Sequence, residues 1–326
     1  MPWVRARLTT LLRLGLGLGI VAIAVVLLMT NDETQHILTA LGSFPLITLA
    51  VLLLASFLVS LLKAARFHIL VRHVDIEISF WKTLRLFLVS QAATPIPAGE
   101  TIRAALLKHE TGAPLGKVAA PVLGQAVYEI AAALSIVLVA SFFYPELFVP
   151  TLTAVVCLFL FIWTLLHRKL FNALLRLLSY LPAIKHQLDR LKRGRDQLRQ
   201  NFSLLEGGGL DRHIVMASLF AFLAQLMGGL LVLVAATAFD IQLNFLQFTL
   251  VYASGALLQG LFTLIPGGLG VTEGGMSGVL HLLGVELSLA LALVLIVRFA
   301  TLVFPVVLGL VLMIPVYFKK LIWQNL

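Results

Sequence analysis

Apolar windows at residues 14–29, 46–62, 119–143, 147–166, 214–239 and 287–317 constrain this chain more than any motif in it. Each approaches or exceeds the roughly 20 residues needed to cross the hydrocarbon core of a bilayer. With 60% of 326 residues hydrophobic and only 12% charged, and a mean hydropathy of +1.02, a water-soluble fold of this size has no interior large enough to hide them. Lipid must be the solvent. Spanning segments satisfy every backbone group internally as helices or closed barrels, and barrel strands would be short and alternating. The expected fold is an all-α polytopic membrane protein, one transmembrane domain over residues 1–326.

The charges set an expected topology. A net charge of +9 and a pI near 10.0 would suit nucleic acid only if the basic residues lay among aromatics on a soluble face. Instead they fall between apolar windows, at residues 5–13, 63–85, 103–117, 168–212 and 319–320, so no nucleic-acid partner is expected. The positive-inside rule makes these stretches cytoplasmic, both termini included. Connections at 31–44, 144–150, 240–245 and 281–286 lack Lys and Arg and carry acids such as Asp32, Glu146 and Asp240. They belong outside. The first segment has a basic front but no small-x-small cleavage site after residue 29, so it reads as an uncleaved anchor. Cys157, in an apolar run, reads as a packed thiol.

Threading the chain through these assignments predicts about six full spans, at 14–30, 45–63, 119–143, 147–166, 213–239 and 287–317. Two stretches resist. Residues 84–93 are too few to cross and run into Pro95, Pro97 and Gly99, between cytoplasmic charges on both sides. Residues 245–265 are broken at Pro266, Gly267, Gly268 and Gly270 and return to an exterior-type connection. Both are expected to be re-entrant broken hairpins, buried in protein or lining a wet cavity, because unpaired amides are otherwise intolerable in lipid. For the second, full crossing by 245–265 with a compensating crossing after the break stays open.

The two breaks align at one offset of 171 residues, Pro95 with Pro266 and Gly99 with Gly270. Each is followed by an acid, Glu100 or Glu273, and then by a span holding a charge, Glu129 or Arg298. This predicts a first repeat over 45–143 and a second, inverted one over 213–317. Discontinuous helices at matching places in inverted repeats point to a transporter's binding site near the bilayer midplane, where free helix ends hold polar groups without bulk water. Residues 167–212 form a basic, amphipathic cytoplasmic connection with nine Lys and Arg over 168–199, either attracted to an anionic lipid surface or acting as a topology anchor.

Glu129 and Arg298 are costly in hydrocarbon, about 2.5–3.5 kcal/mol each at mid-helix. They either contact a headgroup or carry a proton, or pair with each other to hold the repeats together. Glu100 and Arg103 would share a helix face and could pair locally; alternatively Glu100 is a first-turn acid favoured by the helix dipole. Thr272 and Glu273 invite the same first-turn reading, with Thr272 as a cap. The five glycines at 267, 268, 270, 274 and 275 exceed what a packing face alone requires. The histidines lack metal-ligand spacing, so no metal is expected.

The run Pro95-Ile96-Pro97-Ala98-Gly99-Glu100-Thr101-Ile102-Arg103 resembles a P-x-x-x-G-(E/D)-x-x-R signature, and Pro266-Gly267-Gly268-Leu269-Gly270-Val271-Thr272-Glu273, followed by Arg298, resembles a PGGLGxxE…R signature. Both are signatures of the lysylphosphatidylglycerol synthase transmembrane, flippase-like family. The resemblance covers nearly the whole chain. It implies a multi-pass protein of a bacterial or archaeal cytoplasmic membrane, in a family where some members carry a soluble aminoacyl-transferase domain whose lipid product the membrane part translocates. The 326 residues contain no such domain, so synthase activity is not expected and the cargo need not be an aminoacylated lipid. The family commonly places an arginine beside the acid of the span after the first break; here Tyr128-Glu129-Ile130 leaves Glu129 without one.

The leading expectation is a flippase or scramblase for a phospholipid or lipid-linked headgroup, alternating access between two hairpins. A proton-coupled transporter of a small polar solute, with Glu129 or Glu100 as carrier, is the alternative. A lipid-modifying enzyme is weaker, since no nucleophile–base pair or nucleotide loop is visible. No cofactor is expected, and a homodimer is compatible with the sequence.

Overall fold

In a computed structural model of the chain, the described residues are 44–96, 99–145, 212–261 and 266–323, with the isolated positions Gly42, Leu152 and Val156. They form α1 (Leu46–His73), α2 (Phe80–Gln91), α3 (Glu100–Thr111), α4 (Leu115–Phe143), α5 (Arg212–Thr237), α6 (Phe245–Leu261), a 3₁₀ turn (Pro266–Gly268), α7 (Val271–Leu282), α8 (Leu287–Arg298), a π turn (Phe299–Val303) and α9 (Phe304–Trp323). The protein is an all-helical polytopic membrane protein. Among the described residues, four helices are long and apolar enough to cross a bilayer: α1, α4, α5 and the continuous run Leu287–Met313. The expected spans at 14–30 and 147–166, and the basic connection at 167–211, lie outside the described residues.

The first described span corrects its expected end. It was expected to stop at Lys63, where the basic residues begin. Instead α1 starts after Pro45 and continues through Arg72 and His73, which suit the negative end of the helix dipole. Its 28 residues measure about 42 Å at 1.5 Å per residue. The helix tolerates Lys63 and Arg66 because both bind Glu129 of α4, which offsets the penalty of charge among packed helices.

Small residues let the long helices approach. Gly228 and Gly229 of α5 lie under Tyr252 and Thr249 of α6, where an added methyl would overlap the side chains. On α9, a methyl on Gly309 would come within 2.6 Å of the Leu88 carbonyl of α2. Such close approach supplies the packing that drives helix association in lipid, where apolar surface gains nothing by leaving the solvent.

The short helices come as two broken pairs, α2 with α3 and α6 with α7. Lys82 near the start of α2 and Glu110 near the end of α3 form an exposed ion pair at 3.0 Å, so this pair leaves and returns at one end. The same apolar cluster holds Phe67, Val71 and Val74 from the C-terminal part of α1 with Phe87, Leu107 and Val118. The other pair belongs with the opposite end of α1: Leu52 and Ala55 share a cluster with Phe248, Leu280 and Val285.

The spacing of the two breaks recurs in the helices that follow them. The offset of 171 residues that relates Pro95 to Pro266 also carries the limits of α3 onto those of α7, Glu100 to Val271 and Thr111 to Leu282. Each broken pair packs on a helix distant in the chain, α2 on α9 and α6 on α4.

Candidate functional site

Both breaks face one cavity of about 430 Å³. Ile96 and Gly99 line it from the first, Gly267 and Gly268 from the second, and Lys63, Arg103, Glu129, Thr272 and Arg298 contribute polar wall.

Consecutive tight turns make the first break. The Ile96 N–H donates to the Ala93 carbonyl at 2.9 Å and the Gly99 N–H to the Ile96 carbonyl at 2.8 Å. This brings the Ala93 carbonyl so near Gly99 that an added Cβ would lie 1.8 Å from its oxygen. Only glycine fits. Helix α3 then opens at Gly99 and ends on Gly112, which is left-handed at φ 69°. At the second break, Gly267, Gly268 and Gly270 have φ of 60°, 67° and 81°. Side chains with a Cβ rarely adopt that region, so these glycines serve the turn, as their excess over a packing face suggested. Gly275 instead packs close against Leu258, and Gly274 faces open space.

An arginine braces each break. Arg103, 6% exposed, donates from Nε to Ser90 Oγ at 2.9 Å and from Nη1 to Gln125 Oε1 at 3.1 Å. Its guanidinium lies 4.4 Å from the Phe87 ring centroid and 5.6 Å from that of Phe67, within cation–π range. Ser90 Oγ itself donates to the Phe87 carbonyl at 2.6 Å, which leaves its lone pairs facing the arginine. Arg298 donates from Nε to Glu273 Oε1 and from Nη2 to the Gly267 carbonyl. The other oxygen of Glu273 accepts the Gly270 N–H at 2.6 Å. Gly270, Glu273 and Arg298 therefore form one unit that closes the start of α7.

Glu129 and Arg298 do not pair with each other. Glu129 instead accepts from Lys63 Nζ at 2.5 Å and from Arg66 Nη2 at 2.9 Å. The cations beside Glu129 thus come from another helix, α1. Gln125 joins the groups, accepting from Arg103 and donating to the Lys63 carbonyl at 3.4 Å. Lys63, Arg66, Ser90 and Gln125 escaped the sequence reading. A usable signal was present, since Lys63 and Arg66 lie three apart on one helix face, and Gln125 and Glu129 four apart on another.

Thr272 departs from its expected capping role. Gly270 precedes α7 as its cap residue, while the Thr272 hydroxyl, in a residue 3% exposed, has no hydrogen-bond partner among the described residues. Pro95 and Gly270 are exposed. Pro97 and the side chains of Glu100 and Pro266 lie outside the described residues, and with them the expected Glu100–Arg103 pair.

Just past Arg298 the helix widens into a π turn, as helices often do at functional sites. Pro305 has no N–H to give the preceding turn. Ser56 of α1 donates to the buried Ala300 carbonyl at 2.6 Å, while Thr301, Leu302 and Pro305 line the cavity.

A family model described as the lysylphosphatidylglycerol synthase TM region matches residues 14–309. The chain belongs to that family. A search of curated proteins gave no match. The lysylphosphatidylglycerol synthase TM match covers both breaks, both bracing arginines, the whole of α1, α4 and α5 and most of the last described span, and it supports a membrane protein concerned with lipid.

Proposed function

We propose that this protein moves lipid headgroups across the cytoplasmic membrane, as a flippase or scramblase. The observation that carries the reading is a polar cavity bordered by both breaks, inside helices whose outer faces are apolar, such as Val127, Val139 and Phe142 of α4. In this reading the broken pairs are re-entrant hairpins of an inverted repeat. The ends of α1 to which each pair belongs support entry from opposite faces. The headgroup sits between the breaks while the acyl chains stay in lipid, and access alternates as one pair shifts against the other. The termini are cytoplasmic by the positive-inside rule.

The test is reconstitution into liposomes with headgroup-labelled lipids and chemical quenching of the outer leaflet. Acceleration over protein-free liposomes is expected. No acceleration across a range of lipids and ion gradients would overturn the proposal.

A further inference from the structure

We infer that the π turn after Arg298 is a sliding joint that holds or releases the second break through Arg298, with Ser56 as its latch; its part in translocation rests on the lipid-moving reading. The hydrogen bonds show what keeps the turn in place. Within it the Phe304 N–H donates to the Phe299 carbonyl, five residues back. The Ala300 carbonyl is thereby left over. Its α-helical partner, Phe304, is engaged, and its partner five residues on is Pro305, which has no N–H. Ala300 is 0% exposed, so bulk water does not reach that oxygen, and a bare carbonyl at this depth is costly. The Ser56 hydroxyl, in a residue 2% exposed, supplies the missing donor from α1 at 2.6 Å.

Both flanks of the turn are held. Leu293 and Val294 of α8 share a core cluster with Val232 and Phe248, and Gly309 of α9 lies against the Leu88 carbonyl of α2. A π turn holds one residue more than an α turn, which puts the helix faces on its two sides out of step by about 100°. With both ends fixed, the turn moves only by passing that extra residue along the helix. Pro305 blocks passage toward the C-terminus, because a wide turn there needs its N–H. Residues 287–297 contain no proline, so passage toward the N-terminus is open. A slide of one turn in that direction returns the Phe304 N–H to the Ala300 carbonyl and frees Ser56. The residues it passes rotate by about 100°, and Arg298 is among them. Arg298 then leaves Glu273 and the Gly267 carbonyl, the contacts that close the start of α7. Leu302, inside the turn, also bears on the break: a methyl on Gly267 would come within 3.1 Å of it. The Ser56–Ala300 bond and the Arg298 bridge are therefore made and broken together.

The experiment reads amide hydrogen exchange of the full chain in detergent micelles by mass spectrometry, over the first turn of α7 and, as a control, over α3. Ser56→Ala is expected to raise exchange at the start of α7 about tenfold, the equilibrium shift of one buried hydrogen bond, and to leave α3 unchanged. Deleting Ala300 takes out the extra residue, so the helix runs as plain α with both flanks in register and Arg298 in place. In that background Ser56→Ala is expected to change neither segment. The linkage also runs in reverse: Glu273→Gln is expected to raise exchange across residues 299–304. Wild-type exchange at α7 in Ser56→Ala overturns the inference. So does an equal rise with and without the deletion, since that shows lost packing alone. If the deleted chain does not fold, Glu273→Gln decides, and unchanged exchange across 299–304 refutes the joint. Linked exchange in a protein that accelerates no lipid in liposomes keeps the joint and refutes its part in translocation.

Discussion

Removing the Glu129 carboxylate, by Glu129→Gln, strips two cations of their shared partner. The two are unequally placed: the Lys63 side chain is 22% exposed and reaches the cavity, whereas that of Arg66 is 1% exposed and its Nε already lacks a partner. The cost therefore falls on Arg66. Breaking a buried pair from one side costs about 3–5 kcal/mol, and the 22% exposure of Glu129 places this variant near 3 kcal/mol. Arg66→Met should cost less, because Glu129 keeps Lys63 and no orphaned charge is left. In the double variant the uncompensated cation is gone, so it should be more stable than the two single losses predict, with a coupling of at least about 1 kcal/mol. Denaturation in mixed micelles, with all four proteins in one detergent, measures the cycle. Additivity within about 0.5 kcal/mol would refute the claim that this triad acts as a unit in joining α1 to α4.

Gly99→Ala should prevent the first break from closing, since the new methyl would overlap the Ala93 carbonyl; loss of the monodisperse folded protein by size-exclusion chromatography is expected. Gly268→Ala combines a φ of +67° with a clash on the Thr272 hydroxyl and should cost about 1–2 kcal/mol in the same denaturation assay from the backbone alone. Glu273→Gln weakens the Arg298 bridge and the closure of α7 together; hydrogen exchange should rise in the first turn of α7 and stay unchanged in α3. Lys82→Ala removes only an exposed ion pair and should change stability by less than about 1 kcal/mol.

Some of the site was legible in residue order alone. Pro95, Gly99, Pro266 and Gly270 mark the breaks because proline and glycine act on the backbone where they stand. Glu129 and Arg298 were legible as interior charges because hydrocarbon penalises them wherever they occur. Their partners were not legible. Glu129 meets cations 63 and 66 residues earlier in the chain, and Arg298 meets an acid 25 residues before it. Those separations follow from packing. Lys63, grouped by sequence with the basic residues at 63–85, is a residue of the cavity wall.

The spacing of the breaks divides the same way. The offset of 171 residues is a property of the sequence, and it recurs in the limits of α3 and α7. The charges do not follow it. Position 171 after Glu129 is Ala300, and 171 before Arg298 is Val127, so the offset relates the breaks and the helices after them but not the interior charges.

The sequence by itself determined the solvent, the helical class, four of the described spans and the two places where the backbone breaks. Hydrophobic length and the backbone limits of proline and glycine act locally, so residue order suffices for them. Only the tertiary structure decided that the breaks border one cavity, that Glu129 pairs with Lys63 and Arg66, and that the Thr272 hydroxyl is left without a partner. Each depends on which helix faces meet, and that is settled by close packing among residues far apart in the chain.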